Sequence, residues 1–387
     1  MTDPEITETE LIKLTSDLVR IQSHSGDEHD VQTFILDWFS SHGITCEREP
    51  AKDGLFNVVT KIEGQPGGPT LWIGGHSDTV STGSGWSHDP YDAIARDRCL
   101  YGRGTMDMKG GLACTMLVAR NLHAARSEWH GRVIFASLAD EEAFSRGAEA
   151  HVFGLEQIDA ALMCEPHFDD VTIGAMGKVN IDVEVTGRAG HASRPWQGVN
   201  AICEAGRLLA LLADFERPAS GAFRPSHCVF GISAGNGSYT ISIPDQCSFR
   251  INWHFGPDET VDDGIAQIEG LAQSLNSPAT FTVSARSPQY DGYLLAGDHP
   301  LVTTFTESAK TVLGSAPRPE IGKGVSDANI LCGRAGIPTL LFGPRGGNMH
   351  SDDEYVELDS LIQVPPVLMH FARSTLVPQS PLKEIPR

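Results

Sequence analysis

Residues Leu71–Val80 read LWIGGHSDTV, an apolar run that ends in two glycines and then places His76 and Asp78 one residue apart. In a strand, side chains i and i+2 point to the same face. An imidazole and a carboxylate therefore emerge side by side where a buried strand runs out. The pair is either a local hydrogen bond or half of a metal site, and residues elsewhere in the chain decide which.

Around this strand the pattern alternates. FNVVTKI (56–62) and TLWIGG (70–75) read as strands, MKGGLACTMLVARNLHAA (108–125) as a helix, and RVIFASLA (132–139) and DAALMCEP (159–166) as buried strands. Upstream, Thr7 and Glu10 have capping-box spacing before a helix whose face is Leu11, Leu14, Leu18 and Ile21. A second helix over 27–43 stops at Gly43. Continuous apolar strands between helices predict an α/β fold with the sheet covered on both faces.

The texture changes near Gly177, where KVNIDVEVTGRAGHAS alternates apolar and polar residues as a sheet with one open face does. From there to about Ser287 the order strand–helix–strand–strand–helix–strand predicts a compact α+β unit. The α/β texture then returns, ending in a helix expected to be interrupted at Pro365-Pro366. The expected organisation is a discontinuous α/β domain with a mixed sheet (1–176 and 289–387) into which a smaller α+β domain (177–288) is inserted.

Composition narrows the function. The chain has 387 residues, 50 of them acidic and 29 basic, for a formal charge of −21. Such a surface repels nucleic acid and anionic membrane, so neither is expected as a partner. No apolar run approaches the roughly 18 residues that span a bilayer, and the acidic start MTDPEITETE is unlike a targeting segment. A cytoplasmic protein is the expectation. The eight cysteines include no C-x-x-C pair, which argues against a disulfide framework or a thiolate zinc site.

Five polar clusters each follow an apolar segment or lie in a Gly-rich turn: GGHSD (His76, Asp78), YGRGTMDMKGG (Asp107), LADEEA (Asp140, Glu141, Glu142), MCEP (Glu165) and GGNMHSDDEY (His350). Alone, each has an ordinary explanation as a hydrogen bond, a turn, a cap or a solvated charge. Together, two histidines and three carboxylates at strand ends suit a pair of divalent cations. One carboxylate can bridge two metals roughly 3.5–4 Å apart, which then hold a shared water and clamp a tetrahedral intermediate. DEE on extended backbone would point one Glu at metal and the other at substrate as a base.

At this point GHSDTV, GRGTMDMKGG, DEE, CEP, GHAS and HSDDEY, in that order over nearly the whole chain, resemble the dinuclear zinc peptidase and amidohydrolase family of acetylornithine deacetylase, succinyl-diaminopimelate desuccinylase, aminoacylase and glutamate carboxypeptidase. The resemblance implies that His76, Asp107 and Glu165 hold one zinc and Asp107, Glu142 and His350 the other, with Asp107 as bridge and cobalt or manganese able to substitute. It implies that Asp78 orients His76 and that Glu141 is general base and then general acid. It implies a cis peptide at Asp107–Met108. The inserted domain would be a lid through which a homodimer forms, and His191 in GRAGHAS would stabilise the oxyanion. Asn236, in GNGSYTISIPDQ, and Ser326, in GKGVSDANI beside Asp327, would lie near substrate, although that Asp also suits a helix cap.

The pattern departs from the family at the lid strand. Where relatives carry Asp-aliphatic-Arg, this chain reads Asn252, Trp253, His254. Arg250 lies four residues upstream on the same face, a shift of roughly 13 Å along the strand. The expected consequence is a substrate carboxylate held by His254, held differently, or absent, with Trp253 serving as packing. Lys323 and Arg345, on two loops, are candidate cations for an anionic acyl tail. The expected activity is metal-dependent hydrolysis of the amide bond in small N-acyl amino acids or related amides by a water activated between two metals and a Glu base. The alternatives are an exopeptidase or dipeptidase with the same site, and a non-catalytic ligand-binding relative.

Overall fold

A computed structural model describes residues 6–154, 157–235, 241–322 and 324–378. The strand Gln65–His76 lies inside a nine-stranded mixed sheet. Its immediate neighbours are His130–Leu138 on one side and Ala160–Met163 on the other, both parallel to it. Thr339–Leu341 continues the parallel run beyond Ala160–Met163, whereas Phe56–Glu63 pairs antiparallel with the outer side of His130–Leu138.

Residue alternation along Leu71–Ile73 explains why both faces are covered. Leu71 and Ile73 point into one core with the helices Glu8–Val19, Gly110–Ala124 and Val364–Thr375. Trp72 points the other way, fully buried, and its Nε1–H donates to His151 Nε2 at 2.9 Å from the helix Arg146–Phe153. A strand apolar at every position is what two covered faces require. The helix Gly110–Ala124 is accordingly buried at twelve of its fifteen positions.

The chain divides into two compact units. One comprises 1–174, 294–322 and 326–387; the other comprises 175–293 with 323–325. In the second, an antiparallel sheet in the order Ser226–Ala234, Gln246–Phe255, Gly177–Thr186, Thr280–Tyr290 carries the helices Ala201–Ala213 and Val261–Ser274. Along Gln246–Phe255 every second side chain is buried. Trp253 is one of these, with the Arg217 guanidinium 3.9 Å over its ring, and Arg217 closes a bidentate pair with Glu259 at 2.7 and 2.6 Å. Arg250, Asn252 and His254 share the open face, as the alternation predicts.

One local expectation changes. Pro365-Pro366 was expected to interrupt the last helix, but the prolines lie in the first turn of Val364–Thr375. Proline is tolerated there because first-turn N–H groups have no intrahelical acceptor. The break falls earlier, between this helix and the short Leu358–Leu361.

Candidate metal centre

Three parallel strands bring the chemistry to one edge. The register sets Gly74 opposite both Ala136 and Met163, and His76 opposite Leu138. The residues just past these strands, His76–Asp78, Asp140–Glu142 and Glu165, therefore arrive together at the carboxyl ends. The glycines before His76 have a steric reason. A Cβ on Gly74 would lie 2.0 Å from the Ala136 carbonyl oxygen, and one on Gly75 would lie 1.9 Å from Met108 Cε. Met108 fills the space that Gly75 leaves, and its Sδ accepts the His76 backbone N–H at 3.2 Å. The loop carrying Asp107 thus docks on the strand carrying His76. The Asp107–Met108 peptide is cis.

Asp107 divides its carboxylate between two histidines. Oδ1 is 3.2 Å from His76 Nε2, and Oδ2 is 3.1 Å from His350 Nε2. His350 Nε2 also lies 3.0 Å from Glu142 Oε1. Donor atoms of His76, Asp107 and Glu142 all fall within 4.8 Å of one another. Glu165 Oε1 and Glu141 Oε2 are each 3.9 Å from His76 Nε2, outside hydrogen-bond range. Glu165 Oε1 is buried without a hydrogen-bond partner among the described residues.

Asp78 is fully buried beneath this group. Its Oδ2 accepts from Ser25 Oγ at 2.7 Å and from the Glu142 N–H at 3.0 Å, and its Oδ1 accepts from the Glu141 N–H at 3.0 Å. His76 Nδ1 is 3.0 Å from the Asp78 backbone oxygen and 3.4 Å from Oδ1. The ring is held mainly by the backbone of Asp78, and the Asp78 side chain chiefly fixes the two glutamates. The DEE segment itself departs from the extended backbone expected. Asp140 has φ +67° and residues 141–144 form a turn. Asp140 turns inward onto Arg146, with Nε–Oδ2 at 2.6 Å and Nη2–Oδ1 at 2.8 Å, so the turn separates Glu141 from Glu142 in place of strand alternation.

The electrostatics ask for positive charge. Burial pushes Glu165 up to about 8 and Glu141 well above the usual carboxylate range, with only partial relief from His76. Hydrogen bonds to Asp107 and Glu142 push His350 up to about 10. Against the cost of burial, Asp107 and Asp78 raise His76 well above its ordinary value. Without metal the two imidazoles serve as the cations among these carboxylates. The donor set of two imidazoles, a shared carboxylate and the orphaned Glu165 oxygen fits divalent metal. His76, Asp107 and Glu165, and Asp107, Glu142 and His350, are the groups that would hold two such ions.

Other expected site residues are placed as follows. Ser326 lies just ahead of the helical turn Asn329–Arg334: its Oγ accepts the Ala328 N–H at 3.3 Å and its own N–H donates to Asn329 Oδ1 at 3.0 Å. Asp327, which also suited a cap, is instead buried beside Ser145, and burial pushes its carboxyl up to about 7. Arg345 is not the free cation expected; its Nε pairs with Glu357 and its Nη1 with Asp169, both at 2.8 Å. His191 is exposed, with Nδ1 accepting from Ser193 Oγ at 2.8 Å. Arg250 is exposed and pairs with Asp182 at 3.3 Å. His254 is half-buried. Asn236 and Lys323 lie outside the described residues. Sequence reasoning passed over Ser25, Met108 and Glu354, whose partners are remote in the chain. The backbone N–H groups of the Asp107 loop turn inward onto Glu354.

Residues 72–374 match the model of peptidase family M20/M25/M40. A succinyl-diaminopimelate desuccinylase of Gluconobacter oxydans (strain 621H) is 30% identical over 94% of this chain and 97% of its own length. An N-formyl-4-amino-5-aminomethyl-2-methylpyrimidine deformylase of Bacillus subtilis (strain 168) is 27% identical over 94% and 93%. The crystal structure of a tripeptidase from Staphylococcus aureus superposes with a TM-score of 0.78 at 22% identity, covering 96% of this chain and all of that one, and so shares the fold. The chain belongs to peptidase family M20/M25/M40.

One buried acid near Asp78 is testable through stability. Glu28 is 1% exposed, and burial, with the Asp78 charge next, pushes its carboxyl from about 4.5 to about 7. Because the folded state holds this proton more tightly than the unfolded chain, Glu28 costs stability progressively from about pH 4.5 to about pH 7 and evenly above. In urea denaturation of the metal-free protein, the stability of Glu28→Gln relative to the parent should climb across that window and then level. A flat difference would refute the assignment.

Proposed function

We propose that this member of peptidase family M20/M25/M40 hydrolyses the amide bond of small N-acyl amino acids or related amides. The observation that carries the reading is the Asp107 carboxylate divided between His76 and His350, with Glu141 close by and bonded to neither ring. Two bound divalent ions, zinc in the first instance, would supply Lewis-acid polarisation of the amide and of water. Glu141 is the base: its backbone is pinned by Asp78, its carboxyl is free of hydrogen bonds to neighbouring ligands, and burial raises its proton affinity well above the usual carboxylate range. As general base it would take a proton from water and, as general acid, return it to the departing nitrogen. Glu142 and Glu165 would hold the metals, and after burial the charges of Glu165 and then Asp327 add to the raised affinity of Glu141.

Relatives printed as a desuccinylase and a deformylase support N-deacylation, and the deformylase name describes an aminomethylpyrimidine in place of an amino acid. A peptidase with the same site is the second reading, supported by the family description. The open face of the second unit bears on this choice. His254 is pushed below its ordinary value by burial, then by Lys178 and Arg217, so it is neutral at pH 7 and a poor clamp for a carboxylate. Arg250 and Arg286 share the carboxylate of Asp182, and Glu184 lines the same depression on that face. If the substrate carries a carboxylate, Arg250 is the candidate to hold it, while His191 and Asn236 are carried from the family pattern as lid contributors. A cytoplasmic home belongs to the same reading. Among the described residues no helix is long and apolar enough to cross a membrane.

A homodimer is also proposed. Ser226–Ala234 is an edge strand bonded on one side only among the described residues, and it exposes Phe230 and Ile232 by 52% and 60%. An uncovered apolar edge invites pairing with a second copy.

Four outcomes are expected. Glu141→Gln should lower kcat by about 10²–10⁴ while the purified protein retains its metal; turnover within tenfold of the parent would remove Glu141 as base. In a panel of N-acetyl, N-succinyl and N-formyl amino acids, their decarboxylated analogues and dipeptides, assayed with chelator and zinc add-back, His254→Ala should leave KM unchanged. Arg250→Ala should raise KM only for carboxylate-bearing members, and a KM raised by His254→Ala would restore that residue as the clamp. In light scattering, Ile232→Lys should convert a dimer to a monomer; a monomeric parent would sink the dimer.

A further inference from the structure

The segment 350–354 does more than deliver His350. Glu354 is fully buried, and four donors from one loop converge on its carboxylate. Oε2 accepts from Arg103 Nη1 at 2.7 Å and from the Gly104 N–H at 2.9 Å. Oε1 accepts from the Met106 N–H at 2.9 Å and from the Asp107 N–H at 3.1 Å. The Glu354 backbone joins in, its carbonyl accepting the Gly102 N–H at 2.9 Å. Residues 103–107 therefore wrap around one side chain, and the next strand, Tyr355–Glu357, pairs with Cys99–Tyr101 just ahead of that loop.

Nothing in the fold requires a carboxylate here for packing. Arg103 is 1% exposed and Trp86 lies over its guanidinium, 5.3 Å from the ring centre. An apolar side chain at 354 would leave three backbone N–H groups and a buried cation unanswered, each costly. What the carboxylate accomplishes is orientation. Asp107 must present Oδ1 to His76 and Oδ2 to His350, and its backbone N–H is fixed by a residue only four positions from His350. We propose that Glu354 is the positioning residue of the metal centre, setting the Asp107 carboxylate and the His350 loop in register so that one carboxylate serves both metal positions.

This rests on the two-metal reading above, and the test separates the two. Metal-free parent, Glu354→Gln, Glu354→Asp and Arg103→Met are titrated with cobalt and followed by visible absorption and by bound-metal stoichiometry. Thermal melting of each metal-free protein and steady-state kinetics of the loaded one are measured alongside. The parent should take up two cobalt ions; a parent that binds none overturns the two-metal reading and Glu354's role with it. Glu354→Gln should bind the tighter ion about 10- to 100-fold more weakly, with an altered spectrum, and should lose kcat more than KM. Glu354→Asp, which keeps the charge but withdraws it by one methylene, should restore part of that loss. Arg103→Met removes the ion pair yet leaves the three N–H bonds, so it should lower the melting temperature as Glu354→Gln does while binding cobalt within about threefold of the parent. The proposal is overturned if Glu354→Gln binds two cobalt ions with the parent's affinity and spectrum, or if Arg103→Met loses as much metal affinity as Glu354→Gln. Failure of both Glu354 variants to fold would equally assign Glu354 to the fold and not to the metals.

Discussion

The arrangement depends on a carboxylate removed entirely from water. Asp78 lies at the carboxyl end of the central strand with no exposure, and an ion in that position persists only if its lone pairs are filled. They are filled from separate segments: the hydroxyl of Ser25, the N–H groups of Glu141 and Glu142, and the ring of His76 nearby. Against the cost of burial, these contacts hold its proton affinity below the usual range. The consequence is geometric. A side chain that satisfies itself by gripping the base and a neighbouring ligand at their backbones transmits the rigidity of the sheet to groups that lie on a turn. A flexible turn alone would leave Glu141 and Glu142 interchangeable; pinned at adjacent N–H groups, they are directed to different tasks.

The same logic organises the acids around them. Asp107, Glu141, Glu142, Glu165 and Asp327 are gathered at a floor of buried strands, and burial raises all of them except Asp107, which two imidazoles hold down. Like charges at such spacing cannot all ionise without compensation. Divalent cations between the histidines and carboxylates would release the imidazoles from that duty and lower the ligands' proton affinity. Glu141, bonded to neither ring, would stay basic. Glu142 reaches His350 at 3.0 Å, while Glu141 and Glu165 each stand 3.9 Å from His76, and what marks Glu141 out is the grip of Asp78 on its backbone.

Much of this was legible in the chain because its information is local. An apolar run reads as a strand, Gly-Gly marks a close approach, and residues just past parallel strands must meet at one edge. His76, Glu142 and Glu165 come together in that way, and the order of elements in the second unit followed from periodicity. What was not legible is what depends on partners far away in sequence. Gly75 needs Met108, 33 positions on, to explain it. Arg345 looks free in a linear reading because Asp169 is 176 residues distant, and Glu354 looks like one more solvated acid because its donors lie about 250 residues upstream. DEE was misread for a different reason: alternation holds only while φ stays extended, and Asp140 leaves that region to reach Arg146.

The open sheet face of the second unit is held more loosely than the metal centre. At the metal centre His76, Asp107 and Glu142 are each held by a further group, so substitutions there are expensive and the pattern is easily read. On the open face of the second unit, Asp182 pairs with two arginines whose side chains are half exposed. Surface pairs of this kind are worth little to the fold. A change of one residue there alters which anion is attracted without disturbing anything that packs beneath it. Trp253 below is locked by Arg217 and Glu259, while its neighbours Asn252 and His254, facing the other way, are free to differ from relatives. A strand that is rigid on one face and tolerant on the other can change its surface chemistry without cost to the packing beneath it.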